Sequence, residues 1–216
     1  MPAPALTPPS PLHVVGLGGT SRPGSTTERA LVAALEAAAR AGCTTQRVGA
    51  AGMPIELYDP VNPERSDAAR TLVEALRRAD GLLIATPSYH GGISGLVKNA
   101  IDFVEDTRDE PRPYFEGRAV GCIVVADGPQ ALGSTLASLR AIVHALRGWP
   151  TPYAVTLNGR DRPFDDAASP AHAAALDACQ RVAMQVVEFA AMSRAARRSG
   201  AVPADSSATR PAERFP

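Results

Sequence analysis

The chain has 216 residues, enough for one α/β domain whose core needs neither metals nor disulfides for stability. Its 22 basic and 22 acidic residues balance, so the net charge provides no electrostatic footprint for nucleic acid or for an anionic membrane. The three cysteines are isolated in the sequence, which argues against a zinc site or a disulfide framework. No segment has the pattern of a signal peptide or the length of a membrane span, so we expect a soluble cytoplasmic protein without a metal site.

The first predicted unit is a strand, a loop and a helix. Residues 1–11 are rich in proline and are predicted to be disordered. An apolar run predicts a strand over residues 12–16, and an alanine-rich run predicts a helix over residues 26–41. The loop between them, residues 18–27, contains three glycines, five hydroxyl side chains and one arginine. These groups suit a phosphate.

The start of this helix strengthens the prediction of an anion site. Residues 25–28 fit a capping box, so Ser25 is predicted to be the N-cap of a helix whose free N–H groups and dipole point towards the loop. The pattern therefore predicts a hydroxyl-rich loop for one terminal phosphate. The alternative is an ordinary capped turn between a strand and a helix.

Two better-known phosphate loops do not fit this segment. Residues 19–26 have the spacing of a P-loop, but Ser25 stands where the phosphate-binding lysine is required. Residues 16–21 begin like a dinucleotide fingerprint, but Ser21 replaces its last glycine and the second predicted strand does not end in an acidic residue. The sequence therefore favours neither an NTPase nor a dinucleotide-binding Rossmann domain.

The rest of the chain alternates between short apolar runs and helical patterns. Strands are predicted at residues 44–48, 81–85, 119–126 and 153–157, and helices at 66–79, 95–105, 134–147 and 170–197. This order predicts an α/β fold, a doubly wound five-stranded parallel sheet with helices on both faces. The domain is predicted to cover residues 12–198, and a disordered tail is predicted over residues 199–216.

A second chemical segment follows the third predicted strand. Ligands of open α/β sheets lie beyond the carboxyl ends of the strands, where this segment and the first loop must both lie. Pro87 would stiffen the turn, while Gly91 and Gly92 would let the backbone approach a flat ring closely. This arrangement would suit an isoalloxazine.

With these two segments, the sequence resembles the NADPH-dependent FMN reductase family of flavodoxin-like proteins over about residues 12–157. The first motif of that family is matched by Gly19, Thr20, Arg22 and Ser25, where Thr20 replaces the usual serine. The second motif has asparagine where this chain has His90, and it is otherwise matched by Thr86, Pro87, Tyr89, Gly91, Gly95, Lys98, Asn99, Ile101 and Asp102.

The resemblance implies a flavodoxin-like fold and a set of FMN contacts. The phosphate would lie on Thr20, Arg22, Ser25 and Thr27, and the ring on Pro87, Ser88, Tyr89, His90 and Gly91. A third contact would come from Asp127 and Gly128, in the turn after the fourth predicted strand. This part departs from the family's Gly-rich pattern, so Asp127 would either bond the ribityl hydroxyls or face solvent.

The activity that the resemblance implies is that of an FMN-dependent oxidoreductase. Hydride would pass from NADPH or NADH through FMN to free flavin, a quinone or a similar small acceptor, without a dedicated catalytic side chain. His90 is a candidate proton donor, and its alternative is a backbone contact. The other functions that remain open are a flavodoxin-like electron carrier and a flavin-dependent tailoring reductase of a biosynthetic pathway. The resemblance also implies a homodimer or homotetramer and admits a flavin-dependent monooxygenase as a partner.

Residues 106–117 form a long insert with aromatic side chains, which we expect to be exposed and to line a site or an interface. Arg108, Arg112 and Arg118 are candidates for binding the 2′-phosphate of the nicotinamide cofactor, and their alternative is to be solvated loop charges. Lys98 and Asp102 have the spacing of a surface ion pair on a helix.

Overall fold

A computed structural model describes residues 10–201 of the chain. Within this range, three short 3-10 helices, Ala50–Gly52, Phe103–Thr107 and Gly159–Asp161, accompany seven strands and five α-helices. The strands are β1 (His13–Gly18), β2 (Thr44–Val48), β3 (Gly81–Tyr89), β4 (Gly92–Ile93), β5 (Ala119–Ala126), β6 (Trp149–Pro150) and β7 (Val155–Asn158). The helices are α1 (Thr26–Arg40), α2 (Asp67–Arg78), α3 (Gly95–Asp102), α4 (Pro129–Ala145) and α5 (Pro170–Arg198).

The strands form a sheet in the order β2-β1-β3-β5, and β6 and β7 share the outer edge of β5. All of these pairings are parallel, whereas β4 pairs antiparallel with the end of β3. The chain leaves β1 towards β2 on one side and returns as β3 on the other, so the strand order reverses between β1 and β3. A parallel sheet binds ligands at such a switch point, beyond the carboxyl ends of its strands.

Helices cover both faces of the sheet and create two apolar clusters. Alternate strand residues contribute to opposite clusters, as the period of a strand requires: Val15 belongs to the cluster covered by α2, α3 and α4, and Val14 to the cluster covered by α1 and α5. This doubly wound α/β architecture confirms the predicted fold class.

The packing of α5 depends on two glycines in the central strands. A Cβ atom at Gly81 would lie 2.5 Å from Val186, and one at Gly121 would lie 2.8 Å from Val182. The absence of side chains at these two positions therefore lets α5 approach β3 and β5 closely enough to bury both valines.

Several predicted boundaries differ from the structure, and β1 ends at Gly18 rather than at residue 16. β3 continues to Tyr89 rather than ending at residue 85, because β5 pairs with it as far as Pro87 and β4 pairs with its last two residues. The helix predicted at 95–105 ends at Asp102 and continues as a 3-10 helix. α4 begins at Pro129 instead of residue 134, since proline suits the first position of a helix. The edge strand predicted at 153–157 is replaced by β6 and β7, because Pro150 and Pro152 lack the N–H groups that would continue one ladder.

The insert over residues 106–117 does not expose its aromatic rings as expected. Phe115 is fully buried in the core, and Tyr114 is partly buried against it. The insert is thus anchored to the body of the protein by the residues that were expected to line a site or an interface.

The prediction that Arg112 and Arg118 bind the cofactor's 2′-phosphate is wrong. Both guanidinium groups donate to the backbone carbonyl of Ala79, at distances of 3.1 and 3.0 Å, just before β3 begins. They therefore lie at the amino edge of the sheet, opposite the edge where ligands bind. Arg108 donates to the Glu105 carboxylate at 3.3 Å.

The termini lie largely outside the described residues, as does most of the disorder predicted there. Arg194 of α5 donates to the carbonyl of Pro11 at 3.3 Å, which fixes the beginning of the described chain against its last helix. None of the helices between residues 10 and 201 combines the length and the apolar character needed to cross a bilayer. No group of three or more His, Cys, Asp or Glu side chains in this range is arranged to hold a metal ion.

Candidate functional site

A cavity of about 530 Å³ lies beyond the carboxyl ends of β1, β3 and β5. It brings together most of the site residues that the sequence predicts, from three separate segments: Thr20, Arg22, Ser25, Thr27, Pro87, Ser88, Tyr89 and Asp127. The other predicted residues, His90, Gly91 and Gly128, do not line it. Ser21, Thr26, Val125, Ala126 and Gly159 complete the wall.

The first wall is the loop between β1 and α1, which is held in shape by the start of the helix. Ser25 is the N-cap, as predicted, and its buried hydroxyl accepts from the N–H of Glu28 at 3.3 Å. The Glu28 carboxylate returns to accept from the N–H of Gly24 at 2.7 Å and also pairs with Arg47 of β2. The Arg47 guanidinium and the Gly24 N–H lower the pKa of Glu28, which therefore stays charged.

This arrangement leaves several donors directed at the cavity. The N–H groups of Thr26 and Thr27, the first two residues of α1, have no acceptor within the helix. The Arg22 side chain is exposed and makes no ion pair with the rest of the described chain. The Thr20 hydroxyl accepts from the N–H of Arg22 at 3.2 Å, which folds the loop into a tight turn. The loop therefore offers a positive guanidinium and a helix N-terminus to an anion.

The second wall is the end of β3. β1 ends at Gly18, which pairs with Ala85, so beyond that point β3 has a neighbouring strand on one side only. Pro87 lies in this part of β3, where a residue without an N–H group costs the sheet no hydrogen bond. Ser88 turns its hydroxyl to Thr135 of α4 at 2.7 Å. The Tyr89 side chain is 56% exposed at the rim of the cavity. Pro87 and Tyr89 thus provide a rigid apolar surface beside the anion loop.

His90 and Gly91 form the tight turn that joins β3 to β4. Both have positive φ angles, 54° and 80°, which are the signature of a type I′ hairpin turn. Asparagine followed by glycine is the preferred pair for this turn, which explains on physical grounds why the family motif has asparagine at the position of His90. These two residues therefore shape the hairpin beside the cavity.

The third wall comes from the segments after β5 and β7. Asp127 is exposed and lies next to Gly159, where a Cβ atom would be only 2.7 Å from the carboxylate oxygen Oδ1. Gly128 is the N-cap of α4 and stands outside the cavity wall. Gly159 was not predicted from the sequence, although a glycine directly after the last strand is a signal for a close approach at this edge of the sheet.

Several residues of the second motif hold the scaffold together. The Thr86 hydroxyl accepts from the N–H of Ser94, the N-cap of α3, at 3.0 Å. Asn99 of α3 binds the carbonyl of Glu56 at 2.8 Å and the N–H of Tyr58 at 2.9 Å, so it fixes the segment after β2. Lys98 and Asp102 form the predicted surface ion pair, with 2.6 Å between Nζ and Oδ1.

The chemistry of the cavity fits a flat aromatic group that carries one phosphate. Free helix N–H groups, hydroxyls and a guanidinium are suited to the phosphate, and the apolar surfaces of Pro87, Val125 and Ala126 are suited to a ring. The volume of about 530 Å³ is within the usual range for a cofactor or small-molecule site. FMN has this combination of groups, so the residues present fit it.

Comparison with known proteins agrees with this chemistry. Residues 12–161 match the family described as NADPH-dependent FMN reductase. A stretch of 92 residues is 34% identical to the FMN-dependent NADPH-azoreductase of Staphylococcus aureus, which corresponds to 43% of this chain and 45% of the relative. The chain thus spans about half the length of the curated relatives that it matches.

Solved structures show the same fold at low identity. The NAD(P)H:acceptor oxidoreductase FerB of Paracoccus denitrificans is 19% identical, with a TM-score of 0.63 over 84% of this chain and 98% of that one. A flavodoxin, WrbA-like protein of Agrobacterium tumefaciens is 18% identical, with a TM-score of 0.59 over 85% of this chain and 99% of that one. These likenesses establish a flavodoxin-like fold, and the family match extends over most of the domain. The chain belongs to the NADPH-dependent FMN reductase family.

Proposed function

We propose that the protein is an FMN-dependent NAD(P)H oxidoreductase that passes hydride from NADPH or NADH to a small acceptor such as free flavin, a quinone or an azo compound. The observation that carries the proposal is the cavity in which a helix N-terminal anion loop and the rigid apolar end of β3 face each other. Membership of the family and the activity of the azoreductase relative support the same function.

In this proposal the loop between β1 and α1 holds the FMN phosphate. Arg22 supplies a charge-assisted bond, and the hydroxyls of Thr20, Ser25 and Thr27 with the first N–H groups of α1 supply further donors. Because Glu28 and Arg47 already fix the loop, little conformational entropy is lost when the phosphate binds.

The ring would lie against Pro87, Ser88 and Tyr89, with Asp127 close to the ribityl hydroxyls and the backbone of the hairpin at His90 and Gly91 beside it. When bound, the flavin supplies the hydride chemistry. The chain's own residues orient the ring and leave one face open to a donor and an acceptor in turn. The proposal requires no side chain as an obligatory acid or base, and His90 stands outside the wall of the cavity.

We also propose that the protein is a homodimer or homotetramer. Ile55, Leu57 and Val61 are 88%, 81% and 87% exposed on the segment that Asn99 fixes to α3. Apolar side chains held so far out on an anchored segment are typical of an interface, and a second copy of the chain is the partner we propose. The free cysteines Cys43, Cys122 and Cys179 support a reducing compartment such as the cytoplasm.

Two other functions are less well supported. Electron-carrier flavodoxins are usually strongly acidic, whereas this chain has a net charge of zero, so a one-electron carrier is disfavoured. A tailoring reductase of a biosynthetic pathway would use the same cavity and differ only in its acceptor. If free flavin is the acceptor, the reduced flavin would be passed to a flavin-dependent monooxygenase.

The proposal is tested by the spectrum of the purified protein during anaerobic addition of NADPH. We expect FMN to be released on heating, at one equivalent per chain, and the bound flavin to be bleached by NADPH and restored by a quinone. Recovery of FAD instead of FMN, or a flavin that neither NADPH nor NADH reduces, would contradict the proposal. A panel of flavin, quinone and azo acceptors then separates the remaining alternatives.

A further inference from the structure

A second cavity lies at the amino edge of the sheet, opposite the proposed flavin site. Its volume is about 320 Å³, and its lining is dominated by arginine: Asp80, Arg112, Ala190, Ser193, Arg194, Arg197 and Arg198. Four guanidinium groups thus face one carboxylate. We call this group of residues the amino-edge arginine cluster.

The single carboxylate of the cluster is already in use. Asp80 pairs with Arg194 and accepts from the backbone N–H of His13 at 2.8 Å. Glu116, another acid near the cluster, forms an ion pair with Arg147, with 3.7 Å between Glu116 Oε2 and Arg147 Nη1. The positive charges of Arg112, Arg197 and Arg198 therefore exceed the negative charge that the surrounding described residues provide.

Backbone carbonyl groups accept hydrogen bonds from some of these guanidinium groups but do not neutralise their charges. Arg112 donates to the carbonyls of Ala79, Glu116 and Gly117, and Arg197 donates to Gly117 at 3.0 Å. Arg112 and Arg197 share Gly117 as an acceptor, so their guanidinium groups are immediate neighbours. Carbonyl oxygens carry only partial charges, and Asp80 and Glu116 are the acids whose charges act on Arg112, so the adjacent charges of Arg112 and Arg197 are compensated only in part.

Donors also remain available in the cluster. The side-chain hydrogen bonds that Arg197 makes to described residues all come from Nη2, and the Arg198 side chain makes none within residues 10–201. Buried Arg118 lies just behind the cavity, and burial together with the charges of Arg112 and Arg197 lowers its pKa. The local repulsion would be relieved by an anion that accepts several N–H groups at once.

We propose that the amino-edge arginine cluster binds a small multiply charged oxyanion of the phosphate type. Guanidinium groups present paired donors that match the oxygens of such an ion, and a cavity of about 320 Å³ accommodates it with its hydration water. The bound ion links the last turn of α5 to the segments that precede β3 and β5.

This ion is separate from the phosphates of FMN and NADPH. β3 has nine residues and separates the two cavities by about 30 Å, at ~3.3 Å per residue. A nucleotide whose nicotinamide reaches the flavin cannot also reach the amino edge of the sheet. The site therefore affects the stability of the protein and leaves hydride transfer unaffected.

The test uses the holoenzyme, carrying one equivalent of FMN, so that phosphate cannot enter the flavin site. Sodium phosphate is titrated at constant ionic strength against sodium chloride, and binding is followed by calorimetry and by the melting temperature. We expect saturable binding of about one phosphate per chain and a higher melting temperature that chloride does not reproduce.

Two variants and one control locate the site. Arg197→Gln and Arg198→Gln should each weaken phosphate binding roughly tenfold or more, since each removes a charged donor worth ~1.5 kcal/mol. Arg181→Gln, on the same helix but paired with Asp177 at 2.7 Å, should bind phosphate as the parent does. The Arg198 side chain makes no hydrogen bond to the described residues, so we expect Arg198→Gln to fold, and this variant tests the site even if Arg197→Gln does not fold. Absence of saturable binding, an equal effect of chloride, or unchanged affinity in the Arg198 variant would overturn the proposal.

Discussion

Arg22 carries the only guanidinium of the loop between β1 and α1, and its exposure leaves it free to meet a phosphate. We expect Arg22→Ala to weaken FMN binding roughly ten- to a hundredfold, because a charge-assisted hydrogen bond contributes ~1.5–3 kcal/mol. Quenching of FMN fluorescence measures the affinity, and circular dichroism reports the fold. Arg40→Ala, which removes the same charge at the far end of α1, is the matched control. Unchanged FMN affinity in a folded Arg22 variant would place the phosphate elsewhere.

His90 tests whether the hairpin turn has a chemical role or only a conformational one. Asparagine adopts the left-handed conformation of this turn readily, so His90→Asn should fold at least as stably as the parent. Reduction of the bound flavin by NADPH in a stopped-flow instrument should stay within about tenfold, whereas loss of a general acid costs ~10²–10⁴ in rate. A slowing beyond a hundredfold with FMN still bound would assign chemistry to the imidazole.

Glu28 connects the shape of the phosphate loop to pH. Its pKa is lowered in the folded protein by Arg47 and by the N–H of Gly24, so its contribution to stability is present above the unfolded pKa of about 4.3. That contribution is lost as the pH falls through the lower folded value. We therefore expect Glu28→Gln to lower the melting temperature at pH 7, and the difference from the parent to shrink in acid.

Glu36 provides the comparison for this pH dependence. It is exposed on the same helix and has no ion pair among the described residues. Glu36→Gln should leave the melting temperature close to that of the parent at every pH. If the two glutamine variants behave alike, the Glu28 carboxylate does not hold the loop.

At the scale of residues, sequence patterns predicted the features that depend only on residues close together in the chain. The Ser25 cap and the hydroxyl loop follow from residue types within a few positions of one another, and the structure confirms the cap. The meeting of Asp127 with Gly159 depends on which strands become neighbours, which no local pattern contains. The burial of Arg118 was missed for the same reason, since its carbonyl acceptors lie before β3.

At the scale of elements, the close pairing of β1 with β3 rests on one glycine. Gly18 has a φ of 141°, and a Cβ atom there would lie 2.0 Å from the carbonyl oxygen of Ala85. Gly18→Ala should therefore destabilise the protein by more than about 2 kcal/mol, through backbone strain and separation of the strands beside the cavity. Urea unfolding measures the change.

Gly133 is the matched control for this substitution. It lies inside α4, and nothing stands within 4 Å of the position of its Cβ atom. Gly133→Ala should raise stability by about 0.5–1 kcal/mol, since alanine favours the helix. Equal effects of the two substitutions would show that the approach of β1 to β3 is not as close as the structure has it.

The existence of most elements was predictable from the sequence, and their ends were less so. Apolar periodicity identified the central strands because burial on both faces dictates their composition. The extension of β3 to Tyr89 was not visible, since it depends on pairing with β5 beyond the end of β1 and then with β4. The early start of α4 was signalled by Pro129, which the apolar periodicity alone did not capture.

At the scale of the molecule, the exposed segment after β2 predicts self-association. We expect Leu57→Lys to reduce the mass measured by size-exclusion chromatography with light scattering, because a charge would be buried without a partner at the proposed interface. Met192→Lys places the same charge on α5, where Met192 is 56% exposed, and should leave the assembly intact. A parent protein that is monomeric at all concentrations would contradict the proposal.

The close packing of α5 on the glycines of β3 and β5 determines when the protein can finish folding during its synthesis. The parallel strands are complete once Asn158 has been made, and α1 already covers part of this face, yet the part of β3 and β5 under α5 stays exposed until Val182 and Val186 follow. A nascent chain that has passed the last residue matched by the family, Asp161, therefore still presents an apolar sheet surface to water and to chaperones. Synthesis of the final helix is the step that removes that surface.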